Sequence, residues 1–151
     1  MPTILDQMKK DLEASMRSKD AKTTSVLRML ISAIRNAQIS KRGSGRELSE
    51  DDILAVLNSE AKKRKESISA YIQGRRGVLA QKEQEEIEVI GKYLPARLTS
   101  KELETIIKET MEELDGAGQK DFGRIMGRVM AKAKGRADGR QVGEIVKKML
   151  G

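Results

Sequence analysis

The chain of 151 residues contains no histidine, no cysteine and no tryptophan. That excludes disulfides, thiolate or imidazole metal ligands, and every Ser–His or Cys–His nucleophile pair. Aromatic residues are nearly missing too: only Tyr71, Tyr93 and Phe122 occur. The core must therefore be built from Leu, Ile, Val, Met and Ala, and no row of rings exists on which unpaired bases could stack. No run approaches the roughly 18 apolar residues of a membrane span. The N-terminal "MPTILDQMKKDLE" carries charges where a secretory signal would be apolar. The expectation is a soluble, cytoplasmic protein with no membrane role. Period-2 alternation is almost absent, so no strand is read, and no phosphate-cradling loop of the strand–glycine–helix type can be placed.

What is present is charge. Net charge is +7 and the isoelectric point about 9.7, which favours an anionic partner, although a basic surface can also serve solubility alone. The charge is uneven. Residues 96–119 hold Arg97, Lys101 and Lys108 against six acids, whereas residues 120–151 hold nine Lys and Arg against Asp121, Asp138 and Glu144. A second cluster, "KKRK", occupies 62–65 and reads as a solvated face, with a second contact to the anionic partner as the alternative.

Apolar residues recur at helical spacing along most of the chain. Ile4, Leu5, Met8, Leu12 and Met16 form one stripe; Val26, Leu27, Leu30, Ile31, Ile34 and Ala37 form a stronger one. "KRGSGRE" at 41–47 predicts a loop. Ser49 then predicts an N-cap with Asp52 completing the box, and Ile53, Leu57, Ala61, Ile68 and Ile72 carry a long helix to about Gly74. "GRRG" at 74–77 breaks it. Leu79, Ile87, Ile90 and Leu94 follow, with Pro95 as the stop. Thr99 and Glu102 form a second capping box ahead of Leu103, Ile106, Ile107, Met111 and Leu114, and "DGAG" at 115–118 ends that helix. Two short helices, 121–133 and 138–150, close the chain. The reading is an all-α protein, a two-part helical array. About four N-terminal helices occupy residues 1–95, and a small three-helix bundle occupies residues 96–151.

The most informative stretch runs from Phe122 to Arg140. On a helical wheel Phe122, Ile125, Met126, Val129, Met130 and Ala133 make a core face. Gly123, Gly127 and Ala131 form a smooth strip beside it, and Arg124, Arg128 and Lys132 a basic strip beyond. Glycine inside a helix costs roughly 0.5–1 kcal/mol relative to alanine, so something should offset two of them. Either another helix packs closely there or a polyanion lies on the strip. Gly135 suits the left-handed position after a helix and Asp138 suits the next N-cap. Those two account for a turn but not for the cluster of Lys132, Lys134, Arg136 and Arg140 around it. A free helix N-terminus is a ready phosphate site, though Asp138 competes for the same donors.

The segment "DFGRIMGRVMAKAKGRADGRQVGEIVKKML" at 121–150 resembles the C-terminal signature of the YqeY family, whose homologous module forms the tail of the amidotransferase subunit GatB. "SVLRMLISAIRNAQI" at 25–39, "LNSEAKKRKESI" at 57–68 and "EIEVIGKYLPARLTSKEL" at 86–103 extend the likeness over nearly the whole chain. The resemblance implies a two-part helical fold and a role tied to tRNA. GatB belongs to the enzyme that converts mischarged Glu-tRNA or Asp-tRNA to the Gln or Asn form, a carbon–nitrogen ligase with glutamine as amido-nitrogen donor. Its tail helps hold tRNA while the chemistry resides elsewhere. By position Lys134, Gly135, Arg136, Asp138 and Gly139 carry the strongest motif here.

The resemblance and the residues together set the expectations. No catalytic residue, cofactor or metal site is expected, since the carboxylates of "EQEEIEVI" at 83–90 and of Glu60 and Glu66 read as a solvated helix exterior. The contact set is Arg124, Arg128, Lys132, Lys134, Arg136 and Arg140, with Gly123, Gly127, Gly135 and Gly139 allowing close backbone approach. The partner is tRNA or another folded RNA, read through phosphates, 2′-hydroxyls and shape, with an amidotransferase or other protein as a further partner. Two alternatives stand beside it. One is a protein-interaction module whose glycine strip docks a helix. The other is a helix-turn-helix DNA binder, for which Arg140 and Gln141 are the only good base-reading side chains.

Overall fold

A computed structural model describes residues 3–42, 47–115 and 118–151 of the chain, with the side chain of Arg42 left aside. The loop expected at 41–47 and the stop expected at 115–118 fall largely outside the described residues. Within them every regular element is helical: α1 Ile4–Arg17, α2 Ala21–Arg42, α3 Glu50–Gln73, α4 Gly77–Gly91, α5 Ser100–Glu113, a single 3₁₀ turn at Gln119–Asp121, α6 Phe122–Ala133 and α7 Gly139–Leu150. The chain divides into two compact units, Met1–Leu94 and Pro95–Gly151, each with its own core.

Local chemistry sets the helix starts. Thr3, Ser49 and Thr99 each cap a helix in a reciprocal box, with Asp6, Asp52 and Glu102 returning the hydrogen bond. These bonds satisfy first-turn N–H groups that have no partner inside the helix. The Ser49 bonds and the Lys41 ammonium hold the Asp52 carboxyl at about 2, far below its ordinary 3.8, with Lys41 the larger cause. α4 is the exception. It starts at Arg76 with no side-chain cap and no acid in its first turn. Its end also departs from the sequence expectation. The helix stops at Gly91, before Pro95, and its last residues tighten into i→i−3 bonds from Lys92, Tyr93 and Leu94 to Val89, Ile90 and Gly91.

In the first unit Met8, Leu27, Leu30, Ile34, Leu57 and Ile90 are completely buried, so the α1, α2 and α3 stripes converge on one core with the end of α4. Tyr93 and Asp11 tie α4's end to α1 by a hydroxyl-to-carboxylate hydrogen bond. Burial, then the Asp11 bond and charge, push the Tyr93 phenol up. The α3 stripe does not stay buried to its end: Ile72 is 63% exposed.

The charged residues of this unit correct the sequence reading. Arg64, inside "KKRK", is buried to 8% exposure. Its guanidinium donates to the Glu60 carboxylate at 2.8 Å, to the Glu60 carbonyl at 3.0 Å and to the Glu86 carboxylate at 3.2 Å. Glu60 and Glu86 are therefore parts of a clamp between α3 and α4, not a solvated face. Burial opposes ionisation of Glu60, but the Arg64 bond and the charges of Lys63 and Arg64 together hold its carboxyl below the ordinary range. Glu83 is raised, by burial first and then by the charge and hydrogen bond of Glu86.

The second unit packs α5, α6 and α7 around Leu103, Ile107, Ile125, Val129, Val142 and Val146, all fully buried. Residues 96–98 run beside the α6–α7 turn, where the Leu98 N–H donates to the Arg136 carbonyl at 2.9 Å.

Candidate nucleic-acid interface

α6 displays the three faces expected of it. Ile125, Val129 and Ala133 are buried, whereas Gly123, Arg124, Gly127, Arg128, Ala131 and Lys132 are exposed. Phe122, Met126 and Met130 are half-buried beneath α7, where the Phe122 ring and the Met126 terminus lie 3.8 and 3.9 Å from where a Cβ of Gly143 would stand, at ordinary packing distance. Gly139 stands in the same relation to Met130, at 3.8 Å. Gly139 thus belongs to the α6–α7 contact.

Gly123 and Gly127 differ from Gly139 and Gly143. A Cβ at either would meet nothing within 4 Å. Among the described residues no helix packs on the smooth strip, so internal packing among them does not offset its cost.

The cations around the strip fall into two groups. Arg124 pairs with Asp121 at 3.3 Å, Arg128 reaches Glu113 at 3.9 Å, and Lys132 binds Glu113 at 2.7 Å and the Thr110 hydroxyl at 3.0 Å. These pairs are solvent-exposed and individually worth under about 1 kcal/mol, so an incoming phosphate can compete for the cations. Lys134 and Arg140 are exposed, and among the described residues their side chains have no polar partner. Lys147, which the sequence reading left out, lies over the Phe122 ring with its ammonium 5.8 Å from the centroid. The spacing of Phe122 and Lys147 gave no hint of this, because they sit on different helices. Glu113 was missed as the counter-charge of the basic row, although the acid excess of 96–119 was its signal.

Arg136 is a different kind of residue. Its Nε donates to the Ala96 carbonyl at 2.7 Å, its N–H to the Ala133 carbonyl at 2.9 Å, and its carbonyl accepts from Leu98. It fastens residues 96–98 to the turn. The turn carries two left-handed residues, Lys134 (φ 46°) and Gly135 (φ 76°). The expected position was Gly135, and Lys134 takes the same conformation as the cap of α6, donating its N–H to the Met130 carbonyl. Asp138 caps α7 by accepting from the Arg140 N–H at 3.2 Å. Asp138 and Gln141 stand at capping-box spacing, but no reciprocal bond forms, because Gln141 turns to the Ser100 hydroxyl at 3.4 Å. That contact leaves Arg140 as the base-reading candidate free of any such contact on the N-terminal half of α7.

The comparisons with known proteins bear on the family of the chain and not on this surface. Residues 5–150 match the family described as Yqey-like protein. Among curated relatives, the chain is 31% identical over 113 residues to "Altered inheritance of mitochondria protein 41, mitochondrial" of Candida glabrata, covering 74% of this chain and 62% of that one. The protein of the same name from Saccharomyces cerevisiae strain YJM789 is 36% identical over 98 residues, covering 64% and 51%. The chain thus spans between half and two thirds of the length of these relatives. Their names correct the expectation of a cytoplasmic protein, since both are called mitochondrial. The expectation rested on the lack of a secretory signal and of a membrane span, and neither criterion separates the cytoplasm from other aqueous compartments. With a family match over almost its full length, the chain belongs to the YqeY-like family.

Proposed function

We propose that the protein is a non-catalytic module that holds folded RNA, tRNA foremost, on the outer face of α6 and the α6–α7 turn. In this reading it serves a glutamine-dependent tRNA amidotransferase, a carbon–nitrogen ligase whose chemistry lies on other chains. The observation that carries the reading is the open strip. Gly123 and Gly127 cost helix stability, among the described residues nothing lies within 4 Å of where their side chains would stand, and they lie beside the exposed cations Arg124, Arg128 and Lys132. A sugar–phosphate backbone can approach a surface without side chains closely enough for all three to reach phosphate. Lys134 and Arg140 extend the surface and need break no pair to do so. Arg136 is removed from the contact set and becomes the residue that holds the turn in shape.

The test is binding of the full chain to folded bulk tRNA across a salt series, beside a DNA duplex of equal charge. Binding should prefer tRNA and fall steeply with salt. Each lost phosphate contact should reduce the log–log slope by roughly 0.7–0.9. Replacing Arg124→Ala, Lys134→Gly and Arg140→Ala together should remove most of the binding with Arg136 intact. Equal binding to both nucleic acids, or an unchanged slope in the triple variant, would reject the reading. Capture of a protein partner that Gly127→Leu abolishes, with no salt-dependent RNA binding, would assign the strip to helix docking instead.

A further inference from the structure

The turn joining α3 to α4 gathers three exposed apolar side chains, among them Val78, the most exposed large apolar residue among those described. Val78 is 85% exposed, Ile72 63% and Leu79 37%. All residues from Ser69 to Leu79 are exposed apart from the half-buried Tyr71. Between Ile72 and Val78 stand Arg75 and Arg76, whose side chains have no polar partner among the described residues. Charge here is of one sign: residues 67–82 contain Arg75, Arg76 and Lys82 and no acid. Core stripes end in polar residues where helices leave the core; here the α3 stripe runs on through Ile72 into solvent, and α4 opens with Val78 and Leu79.

We propose that this hairpin tip is a seat for an anionic lipid surface. Arg75 and Arg76 would pair with lipid phosphates, while Ile72, Val78 and Leu79 enter the boundary between headgroups and acyl chains. The uncapped start of α4 adds the positive end of its dipole to the same anions. Size favours lipid over a protein partner. A stable protein interface takes roughly 800 Å² and 20–30 residues from each side, far more than a turn and two helix ends present. A bilayer needs no matching shape, and a few inserted apolar groups combined with basic charge suffice for reversible attachment. Among the described residues no helix is long and apolar enough to cross a membrane, so the attachment is to the surface.

The absence of native cysteine makes a direct test clean. The full-length Val78→Cys protein, labelled with an environment-sensitive fluorophore, is titrated with neutral phosphatidylcholine vesicles and with vesicles containing phosphatidylglycerol. The expected result is a blue shift and quenching by acyl-chain quenchers on anionic vesicles only. A Glu13→Cys label on α1 should show neither. In co-sedimentation, Val78→Ser should weaken binding roughly tenfold. Arg75→Gly and Arg76→Ala should each weaken it about fivefold, and Lys134→Gly with Arg140→Ala should leave it essentially unchanged. These tip positions are exposed, so circular dichroism should show every variant folded. No binding to anionic vesicles overturns the proposal. So does binding that Ile72→Ser and Val78→Ser leave intact, which would be diffuse attraction of a basic protein. Loss of tRNA binding in the tip variants without vesicle binding would overturn it in favour of a nucleic-acid contact.

Discussion

Two turns between helices, 74–77 and 134–138, have similar composition and opposite construction. Both mix glycine with arginine, and both hold a long cation in left-handed backbone: Arg75 at φ 56° and Lys134 at φ 46°. The second turn is fastened where it bends. Arg136 reaches the Ala96 carbonyl, Leu98 reaches the Arg136 carbonyl, and Asp138 caps the next helix. The first has none of these. Its hairpin is held further back, where Arg64 bridges Glu60 and Glu86, and its tip is left with cations that have no partner among the described residues and with exposed apolar groups. A run of basic residues therefore does not define a surface. Of two arginine-containing clusters, one hides its arginine in a clamp and the other spends its arginine on a turn; the exposed cations are their neighbours.

The comparison can be broken by moving the fastenings. Arg64→Ala should have the largest effect, about 3 kcal/mol off the stability of the first unit, because Glu60 and Glu86 are left facing each other half-buried. Urea melts followed by circular dichroism measure it, and exchange of α3 and α4 amides locates it. Replacing Arg64 and Glu86 together by Met and Leu should recover much of the loss. Arg136→Ala should come next, at about 1.5–3 kcal/mol from the second unit, as expected for a bond from a charged donor. Arg76→Ala at the other turn should cost almost nothing. If Arg76→Ala proved as costly as Arg136→Ala, the two turns would not differ in the way described.

Capping and backbone strain sharpen the same contrast on a smaller scale. Asp138→Ala should lose about 1 kcal/mol, whereas Arg76→Asp, which supplies the cap α4 lacks, should gain a comparable amount in thermal melts. Arg75→Gly and Lys134→Gly should each stabilise by roughly 1 kcal/mol, because glycine meets no penalty in left-handed backbone. Gly123→Ala and Gly127→Ala should add roughly 0.5–1 kcal/mol each, since nothing obstructs the new methyl groups. The decisive readout there is tRNA affinity: stabilisation with weaker binding marks the strip as a contact, and stabilisation with unchanged binding does not.

How much of this was legible in the sequence depends on range. The boxes at Ser49–Asp52 and Thr99–Glu102 close over three residues, so pattern alone finds them. The core stripes of α2, α5 and α6 are equally local. The clamp of Arg64 needs Glu86 from the next helix, and in sequence both look like solvated charge. Arg136 looks like a phosphate ligand until Ala96 is seen beside it. Whether Gly123 and Gly127 are covered depends on what packs against α6, which helical periodicity cannot report. Ile72 continued a stripe that the fold left uncovered.

The smallest expected effect tests the clamp through its protons. Glu83 has its pKa raised above the ordinary 4.5, by burial and by Glu86. A carboxyl that holds its proton more tightly in the folded state contributes stability at low pH and loses it as pH rises from 4.5 through the raised value. Asp52 acts in the opposite sense: its carboxyl sits at about 2 when folded, so its contribution is complete above 3.8 and disappears as pH falls toward 2. Glu83→Gln should therefore flatten the decline of melting temperature just above pH 4.5 and leave the acid limb near pH 2–3.8 untouched, whereas Asp52→Asn should do the reverse. Glu83 is only half-buried, so the change should amount to roughly a few tenths of a kcal/mol. Glu86→Gln, one helical turn away, should instead destabilise at neutral pH, because it weakens the hold on Arg64. Similar profiles for Glu83→Gln and Glu86→Gln would mean that the carboxylates share Arg64 equally and that the clamp does not single out Glu86.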